Sequence, residues 1–140
     1  MMPSDTPEGF EPHFRKSPLT DPWEPIYSRR TADAVIIGLW LATPHTNSRG
    51  LIHGGLIATL ADNAMGLSCG LTLSGGARLV TVNLAVDFTG TAGIGQWLAI
   101  ESEVIKTGGT LCFAQCRITA DDAMIARANG TFRVVKAKEG

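Results

Sequence analysis

The segment HGGLIATLADNAMGLSCGLTL, from His53 to Leu73, contains the one convincing helical pattern in the sequence. Apolar residues recur in it at spacings of three and four, which places them in one continuous stripe along a helix. They are Leu56, Leu60, Leu67 and Leu71, with Asn63 or Ala64 between them. The opposite side carries small residues that let another backbone come close, namely Ala58, Ala61, Asp62 and Gly66.

Strand patterns lie on both sides of this helix. Before it, the segment Ala32–Ala42 is mostly apolar and partly β-branched, as is typical of a strand. After it, the residues from Arg78 to Phe88 alternate with period two, and we expect the core face to consist of Val80, Val82, Leu84, Val86 and Phe88. Three further strands follow, joined by the hairpin turns KTGGT and ADDA; they are Gln96–Lys106, Leu111–Ala120 and Met124–Val135.

One helix among these strands limits the architecture. A single helix cannot cover both faces of a five-stranded sheet, so it must pack on one face. We therefore predict an α+β fold, in which a curved antiparallel sheet of about five strands wraps around one long central helix. Such a sheet leaves an open edge and an uncovered face, and both favour association with another subunit.

Prolines divide the chain into two parts. Six of the seven prolines lie within residues 1–30, and that density forbids a long regular helix. We predict an extended N-terminal arm over residues 1–30 and one domain over residues 31–136. The arm is either a lid or oligomer contact, or a poorly ordered leader.

Composition and charge exclude several classes of protein. The net charge of −1 leaves no basic field for a nucleic acid. No stretch approaches the ~18 consecutive apolar residues of a membrane span, so we expect no membrane partner. The three cysteines form no C-x-x-C pair and the N-terminus lacks a signal-peptide pattern, which predicts a cytoplasmic protein. The three histidines show no metal-ligand spacing with cysteines or acids, so no zinc site is expected.

A set of motifs carries a family resemblance. His53-Gly54-Gly55 is followed on the same helix by an acid nine residues after the histidine, Asp62, and Asn47 precedes His53 by six residues. Together with the strand Leu79–Phe88 and the hairpin Val104–Thr110, these motifs resemble the phenylacetate-degradation branch of the hotdog-fold acyl-CoA thioesterases, over roughly residues 30–135. The resemblance implies the hotdog fold and hydrolysis of an acyl-CoA thioester, with no cofactor beyond the coenzyme A of the substrate.

The resemblance also implies a role for individual residues. The backbone N–H of Gly54 would polarise the thioester carbonyl with help from the side chain of Asn47. Asp62 would be the general base or the nucleophile, and Thr81 would orient the attacking water. Alternation places Thr81 on the face opposite the core, so its role requires this strand to twist towards the Asp62 of a partner subunit. The hairpin residues that would border the coenzyme A are Lys106, Thr107, Gly108 and Gly109.

The chemistry of a thioester explains why these residue types suit the reaction. A helix N-terminus offers unpaired N–H groups and a partial positive charge to the oxyanion, and glycine lets a bulky substrate approach the backbone. Asp62 stands in mid-helix, where aspartate has poor helix propensity, which indicates a function or a partner. His53 and Gly55 flank the oxyanion donor and are expected beside the substrate, His53 mainly as a residue that fixes the loop. With so small a net charge, a few cations must hold the nucleotide, and Arg78 and Lys106 are the candidates.

The spacing along the helix predicts a shared site. Gly54 and Asp62 are eight residues apart, which corresponds to about 12 Å along a helix. A base and an oxyanion donor must both come within about 3 Å of the reacting atoms. We therefore predict that Gly54 of one subunit faces Asp62 of another in a two-fold homodimer with antiparallel helices. The expected assembly is a dimer at least, and a homotetramer built as a dimer of dimers.

Two other functions remain open at this point. A non-catalytic acyl-CoA-binding module would have the same fold and pocket, but would not need the acid at position 62. A hotdog dehydratase would need a histidine beside an acid at one site, and His53 lies about 13 Å from Asp62 along the helix. Release of thiol from a panel of acyl-CoAs distinguishes the hydrolase from both.

Overall fold

The computed structural model describes residues 5–74 and 77–136. Within these ranges the chain forms seven strands and one α-helix. In chain order they are β1 (Glu11–Pro12), β2 (Tyr27–Arg30), β3 (Val35–Trp40), α1 (Gly54–Leu71), β4 (Arg78–Phe88), β5 (Trp97–Thr107), β6 (Leu111–Ala120) and β7 (Ala123–Val135). Two short 3₁₀ turns, Asp21–Trp23 and Thr43–His45, lie in the connections.

The strands form one antiparallel sheet in the order β1-β2-β3-β5-β6-β7-β4. Helix α1 packs on one face of this sheet, against β3 to β7. The core lies between them and includes the fully buried side chains Leu39, Leu60, Ile100, Ile118 and Phe132. The predicted α+β hotdog architecture, with one central helix against a curved antiparallel sheet, is confirmed.

Helix α1 buries more of its surface than the leucine stripe predicts. Eight side chains are buried, namely Leu56, Ile57, Leu60, Ala61, Ala64, Met65, Ser68 and Cys69. Burial of a large apolar side chain contributes about 1.5–3 kcal/mol, so packing against the sheet holds the helix in place. Gly54 and Asp62 are therefore carried by one rigid element.

The sheet contains two strands more than the sequence pattern predicts. β1 pairs with β2, and β2 pairs with β3. Both come from the proline-rich segment, whose YSRR sequence at β2 lacks the apolar alternation that marks a strand. The arm packs on the sheet, where the Phe10 ring lies 5.1 Å from that of Trp97. This packing lies within one chain and disfavours a poorly ordered leader. A role of the arm as a lid or an oligomer contact, and the division of the chain at residue 30, stay predictions.

Strand β4 departs from regular alternation. Its pairing with β7 shifts between Thr81 and Asn83, which makes Val82 an extra residue in the strand. An extra residue moves the side chains that follow it to the other face. Val80 and Val82 are consequently 54% and 59% exposed, so the expectation that they face the core is wrong.

The bulge changes which residues in the first part of β4 face the core. Leu79 is half-buried against the core, as are Leu84 and Val86 beyond the bulge. Thr81, two residues after Leu79, therefore faces α1 rather than the outer side of the sheet. The predicted position of Thr81 opposite the core is wrong for the same reason.

Strand β4 is also an edge strand. It pairs with β7 on one side only, and within residues 5–74 and 77–136 no strand covers its other side. The backbone groups on the outer side of this 11-residue strand are thus available to another chain. No helix of the described ranges is both long enough and apolar enough to cross a membrane.

Candidate active site

Asp62 and Thr81 are joined by a short hydrogen bond. The Thr81 hydroxyl donates to Asp62 Oδ1 at 2.6 Å, between α1 and β4 of the same chain. The bulge at Val82 makes this contact because it directs Thr81 towards the helix. The sequence pattern makes a role for Thr81 conditional on a twist of the strand towards the Asp62 of a partner subunit, whereas the structure joins Thr81 to the Asp62 of its own chain.

The N-terminus of α1 has one N–H group to offer. His53 is the N-cap residue, and its Nδ1 accepts a 2.8 Å hydrogen bond from the Gly55 N–H. The His53 carbonyl accepts from the Leu56 and Ile57 N–H groups at 3.1 and 3.3 Å. No acceptor for the Gly54 N–H exists among the residues that the structure describes. Of the two glycines, Gly54 is therefore the one whose N–H can bind an oxyanion.

The side chain of Phe88 lies beside this free N–H. A Cβ atom on Gly54 would stand 3.2 Å from the tip of the Phe88 ring, so glycine at position 54 lets the ring close over the helix N-terminus. Phe88 is 55% exposed, so its ring forms part of the surface beside the Gly54 N–H. The sequence pattern predicts only a core residue at Phe88, and nothing in alternation alone indicates an exposed ring at a helix terminus.

Asn47 belongs to the loop that leads into the helix. The loop folds back on itself, with the Asn47 N–H bonded to the Leu51 carbonyl at 2.7 Å. The Asn47 side-chain oxygen accepts from the N–H groups of Arg49 and Leu51 at 2.9 and 3.2 Å. Because this oxygen is occupied, the side-chain NH₂ is the group left to donate. An NH₂ donor is what the predicted role of Asn47 requires.

Within one chain these residues form two groups that lie apart from each other. Asp62 contacts Thr81, whereas Asn47 and Gly54 lie at the two ends of the loop before α1. Gly54 and Asp62 are both in α1, so the rise of 1.5 Å per residue separates them by about 12 Å. One chain therefore presents a base at one place and an oxyanion donor at another.

The β5–β6 hairpin lies at the other end of the helix. The Thr107 hydroxyl is 2.7 Å from that of Thr72, just beyond the C-terminus of α1. A Cβ on Gly108 would come within 2.9 Å of the Leu111 carbonyl oxygen, whereas Gly109 has no neighbour within 4 Å. The tight turn thus explains the glycine at position 108, and Gly109 has space for a ligand to approach.

The two candidate cations face away from the helix. Lys106 is opposite Phe113 and Arg78 is opposite Val135, and all four side chains are exposed on the outer face of the sheet. The structure does not bring either cation to Asp62 or Gly54. An open hollow of about 1310 Å³ is lined by charged residues of the outer face such as Glu101, Arg117 and Arg127, and it extends to Leu71 and Thr72 at the C-terminal end of α1.

Metal ligands are not gathered at the site. In residues 5–74 and 77–136, no three His, Cys, Asp or Glu side chains are placed to hold a metal ion together. The chemistry available at the two groups consists of a carboxylate with a hydroxyl neighbour, a backbone N–H at a helix N-terminus and a side-chain amide. These are the parts of a site that activates water and stabilises an oxyanion.

The chain is similar in sequence to known thioesterases and esterases. The family model of the thioesterase superfamily matches residues 49–126. The chain is 37% identical over 131 residues to the Pseudomonas aeruginosa protein named "Putative esterase PA0474", which covers 93% of this chain and 98% of that protein. It is 36% identical over 101 residues to human acyl-coenzyme A thioesterase 13, with 69% of this chain and 70% of that protein covered.

A solved structure supports the fold. The BH2602 protein from Bacillus halodurans, crystallised with CoA, has a TM-score of 0.67 and 26% sequence identity, and the match covers 71% of this chain and 66% of that one. The family match spans the helix, the edge strand β4 and both residues of the Asp62–Thr81 pair. The chain therefore belongs to the thioesterase superfamily, and it is an enzyme of the thioester hydrolase class.

Proposed function

We propose that the protein hydrolyses acyl-CoA thioesters at sites built by two subunits. The observation that carries this proposal is the 2.6 Å hydrogen bond from Thr81 to Asp62. It holds a carboxylate and a hydroxyl together at the exposed edge strand β4, which pairs with β7 on one side only. The name of the human relative, acyl-coenzyme A thioesterase 13, and the CoA in the Bacillus halodurans structure support coenzyme A as the thiol part of the substrate.

The reaction needs one water molecule and no further reactant. Asp62 takes a proton from the water, which Thr81 helps to orient, and the water oxygen bonds to the thioester carbon. The carbonyl oxygen becomes an oxyanion, which the Gly54 N–H and the Asn47 NH₂ stabilise. The carbon–sulfur bond then breaks, the coenzyme A thiolate leaves and takes up a proton, and the acid is released. If Asp62 attacks the carbon itself, water hydrolyses the resulting anhydride to the same products.

The distance along α1 is the reason for invoking a second subunit. About 12 Å of helix separates Gly54 from Asp62, so one carbonyl carbon cannot contact both groups of one chain. A partner related by a two-fold axis beside β4 would run its helix antiparallel to α1. Gly54 of one subunit then faces Asp62 of the other, and two equivalent sites result.

The outer face of the sheet supports a larger assembly. Apolar side chains are exposed there on three neighbouring strands: Val80, Leu111, Phe113 and Val135. A second dimer that packs on this face would cover them, which gives the homotetramer. The three free cysteines are all buried, as suits a cytoplasmic enzyme.

The coenzyme A chain would extend from Asp62 towards the β5–β6 hairpin. Thr72, which contacts Thr107, lies ten residues beyond Asp62, or about 15 Å along the direction of the helix. The open space at Gly109 admits the pantetheine or phosphates close to the backbone. Lys106 is the nearest cation in sequence to this turn. Because its side chain lies on the outer face of the sheet, it would meet the nucleotide end where the coenzyme A passes around the hairpin.

Thiol release from acyl-CoAs tests the proposal. Purified protein is incubated with phenylacetyl-CoA, hydroxybenzoyl-CoA and straight chains from C4 to C16, and free thiol is read with a disulfide dye. We expect turnover of at least one substrate, and a loss of about 10²-fold or more in kcat for Asp62→Asn, as for removal of a positioned base. Binding of acyl-CoA without turnover in the wild type would instead identify a non-catalytic binding module.

A further inference from the structure

His45 connects three segments around the candidate oxyanion donors. Its side chain is 3% exposed, and both ring nitrogens are bonded. Nδ1 accepts from the Ala42 N–H at 2.9 Å, and Nε2 donates to the Trp23 carbonyl at 2.8 Å. The backbone carbonyl of His45 accepts from the His53 N–H at 3.0 Å. A single residue thus joins the N-terminal arm, the 3₁₀ turn and the N-cap of α1.

The hydrogen-bond partners of the His45 ring define its protonation state and tautomer. A carbonyl can only accept and a backbone N–H can only donate, so the ring must be neutral with its proton on Nε2. A proton added to Nδ1 would point at the Ala42 N–H and remove that contact. Burial also lowers the pKa of His45, although the hydrogen bond to Trp23 acts in the opposite direction. The neutral ring is therefore the form that holds the three segments together.

His45 is connected to both proposed oxyanion donors, the Gly54 N–H and the Asn47 side chain. The pair His45–His53 closes the loop at its base, and within the loop Thr46 bridges to Ile52. Gly54 follows directly after His53, and Asn47 lies two residues after His45. A shift of the His45 backbone would therefore displace the Gly54 N–H and the Asn47 side chain together.

We propose that His45 is a positioning residue, which holds Gly54 and Asn47 in place for the carbonyl oxygen and ties them to the N-terminal arm through Trp23. It is not a base, because both of its nitrogens are used within the chain. This inference rests on the proposed function, since it gives His45 a part in the thioester reaction. It also makes the arm segment around Trp23 a support of the active site.

Three variants at position 45 separate positioning from folding. His45→Leu removes both side-chain hydrogen bonds, and His45→Gln supplies a donor and an acceptor that can replace them. His45→Asn keeps a short acceptor for Ala42 but does not reach Trp23. The matched control is His13→Leu, because His13 is also a buried histidine of the N-terminal region, 5% exposed, and its side chain makes no hydrogen bond to the loop among residues 5–74 and 77–136.

Kinetics give the first readout. In folded protein we expect His45→Leu to lower kcat by about 10²-fold with KM changed far less, as for misplacement of a catalytic group by about 1 Å. His45→Gln should recover most of the loss, and His13→Leu should keep the wild-type kcat. Unchanged kcat in folded His45→Leu, or an equal loss in His13→Leu, would overturn the proposal. If His45→Leu does not fold, His45→Asn takes its place, and a wild-type kcat in that variant overturns the proposal in the same way.

Amide hydrogen exchange gives a second readout that needs no activity. The His53 amide should exchange faster in His45→Leu than in the wild type, and the Gly54 amide resonance should shift. Amides near the C-terminus of α1, such as that of Cys69, should not change. An unaltered His53 exchange rate would contradict the positioning role even if the protein had no thioesterase activity. Absence of turnover in the wild type, with the expected exchange, would contradict only the proposed function.

Discussion

The hydroxyl of Thr81 donates to Asp62 Oδ1 at 2.6 Å, and both residues belong to the same chain. The contact couples the edge strand β4 to the middle of helix α1 at a point exposed to solvent. It depends on one extra residue in β4, Val82, because regular alternation would direct Thr81 to the other face of the sheet. A carboxylate with a fixed hydroxyl neighbour can hold a water molecule in a defined direction.

Removal of the hydroxyl tests this coupling. Thr81→Val keeps the shape and β-branching of the side chain but cannot donate to Asp62, and we expect kcat to fall by about 10- to 100-fold while KM changes little. Thr81→Ser is the matched control, because it keeps the hydroxyl and should retain most of the activity. Steady-state kinetics on one acyl-CoA measure both. Equal activity of the Val and Ser variants would show that the hydroxyl is not used.

Two variants at position 54 distinguish the role of the Gly54 backbone N–H from the effect of adding a side chain. Gly54→Pro removes the N–H and is compatible with the first position of a helix, since His53 already has the extended backbone that precedes proline (φ −78°, ψ 130°). We expect kcat to fall by about 10²- to 10³-fold, as when an oxyanion donor is lost.

Gly54→Ala is the control for the added carbon atom. It retains the N–H and places the same Cβ 3.2 Å from the Phe88 ring, so the ring must move by a few tenths of an ångström in both variants. The alanine variant should be far more active than the proline variant. If the two are equally impaired, the side-chain contact with Phe88 matters and the N–H does not.

The position of the nucleotide end can be tested by charge reversal. Lys106→Glu should raise KM for acyl-CoA several-fold with kcat nearly constant, because the nucleotide is far from the reacting carbonyl. Arg78→Glu should do so less, since Arg78 lies on β4 and not at the hairpin. Arg15→Glu, an exposed residue of the arm, is the control with the same change of charge. A KM unaffected by Lys106→Glu would mean that the nucleotide lies elsewhere.

The sequence predicts the helix and five of the seven strands, β3 to β7, because each has a regular apolar pattern. It misses β1 and β2, which are held by pairing with β3 and by contacts such as Phe10 with Trp97 rather than by alternation of their own. It also misses the bulge, since no pattern in RLVTVNLAVDF marks Val82 as the extra residue. A bulge is a property of the pairing with β7, and the register is fixed only when both strands are in place.

The sequence predicts some residues of the candidate site and misses others. The motif around His53 leads to Gly54, Asn47 and Asp62, and the structure gives each a free group or a contact that suits its predicted role. The importance of His45 cannot be read in this way, because the residues it joins are 22 positions before it and eight positions after it in the chain. Arg78 is predicted from its charge, and Lys106 from its charge together with the resemblance of its hairpin; the strand register places both side chains on the outer face.

Complementation between two inactive variants tests whether Gly54 and Asp62 act together across two subunits. Asp62→Asn lacks the base and Gly54→Pro lacks the N–H donor, so neither homodimer has an intact site. In a hybrid dimer one site combines both defects and the other combines two intact groups. Subunit exchange at equal concentrations makes about half of the dimers hybrids, so about a quarter of the wild-type activity should return. If native mass spectrometry shows the hybrids while thiol release stays at the level of the two parents, the shared-site mechanism is wrong. Gly54 and Asp62 then do not act together across subunits.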